Sequence, residues 1–249
     1  MIAGLPMYDR PELAEAHRRY WQEIRRAFSD RGIATPQNLT RDISAWDLWQ
    51  RPDLVLSQTC GMPYRSVLHG RVTLIATPEY DLPCPAGHYF SILVTRRDDP
   101  RRAPAAFDGA RLAFNDDCSQ SGWAAPLDWA AKAGIKFGGF LDTGAHINSA
   151  HAVANGQADI AAIDAVTWEL LKRYDPVAKA LSELDATQPT PALPYISALG
   201  GDEAAMASAL KEAVASISAA DRQTLCLRDF ARIEADSYLA VATPARLND

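Results

Sequence analysis

No stretch of 18 apolar residues occurs in the chain, so no segment is built to cross a bilayer as a helix. Basic runs are missing too. Arg25-Arg26, Arg96-Arg97 and Arg101-Arg102 are isolated pairs in a protein of formal net charge −6, which argues against nucleic acid as a partner. Cysteine is sparse: Cys60, Cys84, Cys118 and Cys226 are far apart, with no C-x-x-C pair. Of the five histidines, His146 and His151 stand five apart, not at the four-residue spacing of a helical metal pair. No metal site and no cofactor are expected on these grounds. Internal repeats and low-complexity tracts are absent. The first residues, Met1-Ile2-Ala3-Gly4-Leu5, show neither a basic start nor the apolar core of a secretory signal. They favour a cytoplasmic location as the chain stands, or a periplasmic one if a leader has been trimmed.

What is present is ordinary for a folded α/β protein: 249 residues, 48% hydrophobic and 22% charged, enough for one large domain or two smaller ones. Ile2 to Met7 reads as a strand, and Asp9-x-x-Glu12 as a capping box. Leu13, Ala16, Tyr20, Trp21, Ile24, Ala27 and Phe28 then follow helical spacing as far as Gly32. Strands are predicted at 54–56, 72–76 and 89–94, with a short helix over 64–68 and a proline-rich loop over 78–87. From residue 111 the chain alternates: strand 111–114, helix 123–133, strand 136–141, helix 145–155, strand 158–163, helix 165–173. Such alternation implies a mostly parallel sheet covered by helices. Further helices are predicted over 202–217 and 218–227.

Chemistry concentrates where the run Arg111–Phe114 gives way to Asn115-Asp116-Asp117-Cys118-Ser119-Gln120-Ser121-Gly122-Trp123. A strand-to-helix turn exposes backbone N–H groups at the positive end of a helix, which suits an anion. Ser119, Gln120 and Ser121 add hydroxyl and amide donors, and Gly122 would allow close approach to the backbone. Pro126 favours a helix beginning near itself, which would leave the amides of residues 120–123 free. A plain serine-capped helix fits the same letters. His146, in the first turn of a helix opened by Gly144, could add a donor, or could be a cap or core histidine. Asp164 ends the apolar run Ala158–Ile163 and is either an N-cap or an acceptor for a protonated ligand oxygen. Tyr8 and Tyr64 close two strands and offer phenol donors, or aromatic packing. Trp123 and Trp168 could wall an organic substituent. Thr59 and Cys60 follow the strand that ends near residue 56. A Ser-His-Asp hydrolase is not supported, because the nucleophile-elbow pattern is missing.

The pattern Asn115-Asp116, Ser119-x-Ser121-Gly122, Pro126 resembles the ligand loop of the phosphonate-binding proteins of ABC importers, the PhnD-like family. Gly144-Ala145-His146 with Ala150, Ala152-Val153, Gly156, Ala158-Asp159 and Ala161-Ala162-Ile163-Asp164 is similar to a second stretch of that family. Gln58-Thr59-Cys60-Gly61-Met62-Pro63-Tyr64 is similar to a third. The order and spacing resemble the family along most of the chain, loosely from about residue 200. The resemblance implies a two-domain type II periplasmic-binding-protein fold, each domain a mostly parallel sheet flanked by helices, with a ligand cleft between them. It implies domains at 1–94 with 187–249 and at 95–186, joined by hinge strands near 89–95 and 181–187. It further implies a monomer that closes around a phosphonate, phosphate or phosphate ester without catalysing a reaction, and an ABC-transporter permease as partner. The implied ligand residues are Tyr8, Thr59, Cys60, Tyr64, Ser119, Gln120, Ser121, Gly122, Trp123, His146 and Asp164. Enzymes of thiamine-precursor and menaquinone biosynthesis share the fold, so a cytosolic enzyme or sensor is the alternative.

Overall fold

Two units emerge in the computed structural model, which describes residues 1–247: Met1–His88 with Pro191–Val241, and Tyr89–Thr190 with residues 242–247. In the first unit the strand order is Ile2–Gly4, Leu54–Gln58, Tyr195–Ala198, Val72–Tyr80, Leu227–Ala231. The first pair is parallel, whereas Tyr195–Ala198 runs antiparallel to both its neighbours and Leu227–Ala231 antiparallel to Val72–Tyr80. The expected mostly parallel sheet is therefore mixed here. The strands that enter after residue 191 insert against the direction of those already laid down. Val72–Tyr80 also runs past the predicted stop at Ala76. Pro78, opposite Phe230, lies within it rather than opening a loop.

Helix Ala14–Ser29 buries Ala16, His17, Tyr20, Trp21, Ile24, Ala27 and Phe28, the stripe read from the sequence. Its approach differs from the expected capping box. Pro11 starts a 3-10 turn, and the Asp9 carboxylate turns to Arg41 Nε at 2.5 Å and lies 3.5 Å from His17 Nδ1. Burial opposes the ionised form, but His17 and Arg41 outweigh it and hold Asp9 down at about 2. A charged guanidinium is a stronger partner than the helix amide a capping box would offer. Ser218 caps a helix, Ala219–Thr224, by accepting from Asp221 N; the helix stops short of the predicted residue 227, where a strand begins.

The second unit's sheet runs Gly139–Asp142, Arg111–Phe114, Ile160–Asp164, Ser91–Arg96, Leu181–Ala186. Its first three strands are parallel; Ser91–Arg96 is antiparallel to both neighbours. Ile160 to Ile163 are fully buried, with alternate residues feeding two apolar clusters, one around Val153 and Leu171 and the other around Phe107 and Trp129. A strand covered on both faces reads as a continuous apolar run, which is how the sequence presents it.

The domain limits need correction. Ser91–Arg96 and Leu181–Ala186, expected to join the domains, pair with each other inside the second unit's sheet. The unit limits fall at His88/Tyr89 and Thr190/Pro191, within two short strands that make a two-stranded sheet. Residues 242–247 belong to the second unit, not the first. No helix among the described residues is long and apolar enough to cross a membrane.

Candidate functional site

In the second unit, Phe114 ends its strand and the chain turns at once. Cys118 N donates to Asp116 Oδ1 at 2.7 Å and Ser119 N to the Asp116 carbonyl at 3.0 Å. Ser119, extended at φ −86° and ψ 132°, is the N-cap of a wide helical turn, Gln120–Ala124, which runs into helix Ala125–Lys132. Its Oγ accepts from Gly122 N at 3.1 Å, and its carbonyl accepts from Trp123 N and Ala124 N at 3.2 and 3.0 Å. The helical turn thus starts six residues before Pro126, and the amides of Gly122 and Trp123 are used internally rather than left for a ligand. The wide turn carries the chain into Pro126 without needing the N–H that proline lacks.

Gly122 has a different task from the one its sequence suggests. A Cβ there would lie 1.8 Å from Asn115 Oδ1 and 3.2 Å from His146 Cε1. The space over its Cα belongs to those two side chains and not to a ligand. Asn115 Oδ1 is buried and makes no hydrogen bond.

His146 opens helix His146–Ala154, and its Nε2 meets Ser121 Oγ at 2.8 Å; Ser121 Oγ is in turn 3.4 Å from Ser119 Oγ. The residue keeps some surface, but its Nδ1 is enclosed and has no hydrogen-bond partner. Burial pushes the imidazole down to about 4, so the ring is neutral at physiological pH. A proton on Nε2 makes the ring the donor to Ser121 Oγ and leaves the serine hydrogen available to an anion. The same features fail as a hydrolytic dyad: Nδ1 has no carboxylate to orient it, and a base of pKa about 4 is too weak at neutral pH.

The depressed imidazole gives fold stability a pH signature. An unfolded histidine takes up its proton near 6.5, whereas His146 in the fold does so only near 4. Between those values the unfolded chain binds more protons, so stability falls as pH drops through that window and is insensitive to His146 above it. The expected loss is about 3 kcal/mol by pH 4. Urea unfolding at pH 7, 5.5 and 4 should show it, and His146→Asn should remove this component. An unchanged slope in the variant would contradict the buried neutral ring.

Asp164 is 2% exposed, and its Oδ1 accepts from Thr167 N at 2.9 Å, so it does serve as an N-cap. It also stands in register with Ser91, whose Oγ donates to the Ser121 carbonyl at 2.9 Å. Ser91 was not foreseen; its place depends on an antiparallel pairing that local pattern does not reveal. Gln120 is buried in the same turn. Trp123 is not a ligand wall: it is buried at 4.9 Å from Phe114 and 5.1 Å from Phe140, with Nε1 donating to the Ala245 carbonyl at 3.0 Å. Trp168 is likewise core, its Nε1 on Glu183 Oε1.

In the first unit, Tyr8 stands edge-on to Tyr80 at 5.5 Å, and Gln58 Nε2 donates to Tyr80 Oη at 2.7 Å and to the Leu193 carbonyl at 3.1 Å. Tyr8, Gln58 and Tyr80, with His17, Tyr20 and Tyr195, line one side of a small cavity of about 30 Å³ that Leu5, Leu225 and Leu227 close on the apolar side. Thr59 is fully buried, its amide bonded to the Pro194 carbonyl, and half-buried Cys60 is the N-cap of the helix starting at Gly61. Tyr64 does not form a rim. It is 2% exposed in the core with Leu48, Trp49, Leu54 and Leu68, its ring 5.1 Å from Tyr238. The apolar area gained by burying a phenol ring there outweighs what its hydroxyl could contribute at a surface.

A model of the family described as ABC transporter, phosphonate, periplasmic substrate-binding protein matches residues 54–238. No curated protein sequence matches the chain. Among solved structures, it is similar to PhnD1 of Prochlorococcus marinus in complex with methylphosphonate, at 16% identity over 95% of this chain and 93% of that one, TM-score 0.74. It is also similar to the binding-protein component of an ABC phosphonate transporter of Pseudomonas aeruginosa, at 17% identity over 96% and 82%, TM-score 0.70. A Xanthomonas citri protein bound to ATP aligns at 18% identity over 95% and 92%, TM-score 0.68. At such identities these likenesses establish the fold.

Proposed function

Because the chain belongs to the family of periplasmic substrate-binding proteins of ABC phosphonate transporters, we propose that it binds a small oxyanion, a phosphonate, phosphate or phosphate ester, and delivers it to a membrane permease. The observation that carries this reading is the chain of hydroxyl, hydroxyl and neutral imidazole formed by Ser119, Ser121 and His146 at a helix start. Hydroxyl donors aimed at an anion make charge-assisted hydrogen bonds, and the helix start adds a partial positive charge. Asp164, linked to the turn through Ser91, supplies an acceptor for a protonated phosphonate oxygen; sulfate carries no such proton near neutral pH. In this role the protein acts as a monomer in the periplasm, and it leaves its ligand unchanged.

Calorimetry and thermal unfolding with methylphosphonate, inorganic phosphate, sulfate and ATP test the reading, with phosphorus NMR to detect product. Methylphosphonate or phosphate is expected to stabilise the fold by about 2.7 kcal/mol at a hundredfold excess over Kd, and sulfate to bind more weakly. Equal binding of sulfate removes the role given to Asp164. Appearance of a product overturns the binding reading in favour of an enzyme.

A further inference from the structure

Residues 242–247 lie on the second unit, and they meet the candidate turn at both of its ends. Leu247 N donates to Asp117 Oδ2 at 3.2 Å and Arg246 Nη2 to Cys118 Sγ at 3.2 Å, both just before Ser119. The Ala245 carbonyl accepts from Trp123 Nε1 at 3.0 Å, just after Gly122. Three consecutive residues therefore grip the two flanks of the segment that holds Ser119, Ser121 and Gly122. The gripped side chains are fixed in turn: Cys118 is buried, and Trp123 is wedged against Phe114 and Phe140.

We propose that Ala245–Leu247 is a positioning strap for the oxyanion turn, with Arg246 as its side-chain determinant. The strap touches no ligand. It pre-orders the Asp117–Trp123 turn so that Ser121 stays aligned with His146, and the turn need not be ordered when the anion arrives. Pre-ordering raises affinity by removing a cost of binding, not by adding a contact. The inference rests on the reading of this turn as the oxyanion site.

The test uses the full chain and methylphosphonate as probe. Arg246→Ala with Leu247→Pro removes the guanidinium and one backbone donor without altering any residue of the turn. Affinity is expected to fall about tenfold, Arg246→Lys alone to stay near the parent, and Ser121→Ala to bind weakly as the site control. The indole N–H resonance of Trp123 should shift in the double variant, and amide exchange over residues 118–123 should quicken. Affinity within twofold of the parent in the double variant, alongside a weakened Ser121→Ala, overturns the strap and leaves the site reading intact. Weakened binding with an unmoved Trp123 resonance and unchanged exchange also overturns the positioning role. Parent-like binding by Ser121→Ala, or a parent that ignores methylphosphonate, overturns the site reading and the strap together.

Discussion

Gly122→Ala is expected to destabilise the fold and weaken anion binding together. Its Cβ would fall 1.8 Å from Asn115 Oδ1 and 3.0 Å from Asn115 Cγ, distances at which one group has to leave. Gly122 is not among the glycines at positive φ, so the penalty is one of space and not of backbone conformation. Asn115 follows directly on a sheet strand and Gly122 is held by the Ser119 cap, so the backbone on both sides is fixed and relief falls first to the Asn115 side chain. Overpacking of this kind costs about 1–3 kcal/mol. The way out is for Asn115 to swing away or for the turn to lift, and either move separates Ser121 from His146. Methylphosphonate affinity should fall by about a hundredfold, the equivalent of roughly 2.7 kcal/mol. Replacing Asn115 by Ala in the same chain removes the obstructing amide and should return the urea midpoint most of the way to the parent. A single variant with parental stability and affinity would show that the close packing of Gly122 on Asn115 has no energetic weight.

That clash also marks where sequence reading stops. The strand at Arg111–Phe114, the polar turn and the stop at Gly134 are local events, signalled by apolar run, cap and left-handed glycine at φ +70°. The roles of Ser119 as cap and His146 at a helix start are legible for the same reason. The function of Gly122 is not, because its partners are Asn115, seven residues back, and His146, twenty-four ahead. Tyr64 and Trp123 end their segments in ways that permit either a rim or a core. What decides is Tyr238 in one case, and Phe140 with the Ala245 carbonyl in the other. The shifted domain limits have a similar origin: Ser91–Arg96 and Leu181–Ala186 look like isolated strands until their antiparallel pairing is known. Likeness to a family supplied the order of the motifs, and its model does match from Leu54 to Tyr238. It could not say which residue of each motif faces a ligand and which faces the core.

Ser119 and Ser121 look interchangeable in the sequence and should respond differently to substitution. Ser121 Oγ reaches His146 Nε2 and caps nothing, so Ser121→Ala removes a donor from the anion and should weaken methylphosphonate binding roughly tenfold to a hundredfold, the 1.5–3 kcal/mol of a hydrogen bond to a charged group. Ser119 Oγ holds Gly122 N at 3.1 Å, so Ser119→Ala should lower fold stability by about 1 kcal/mol as well as affinity. Ser119→Asp separates the two roles. Aspartate is as good an N-cap as serine, so the urea midpoint should stay near the parent. Its carboxylate would face an oxyanion held by Ser121, and like charges so placed cost several kcal/mol, which predicts a loss of more than about a hundredfold in affinity. The three variants are compared by urea unfolding without ligand and by calorimetry with methylphosphonate at pH 7. An aspartate at position 119 that keeps both stability and affinity would mean that no anion approaches Ser119, and the turn would then be an ordinary helix cap.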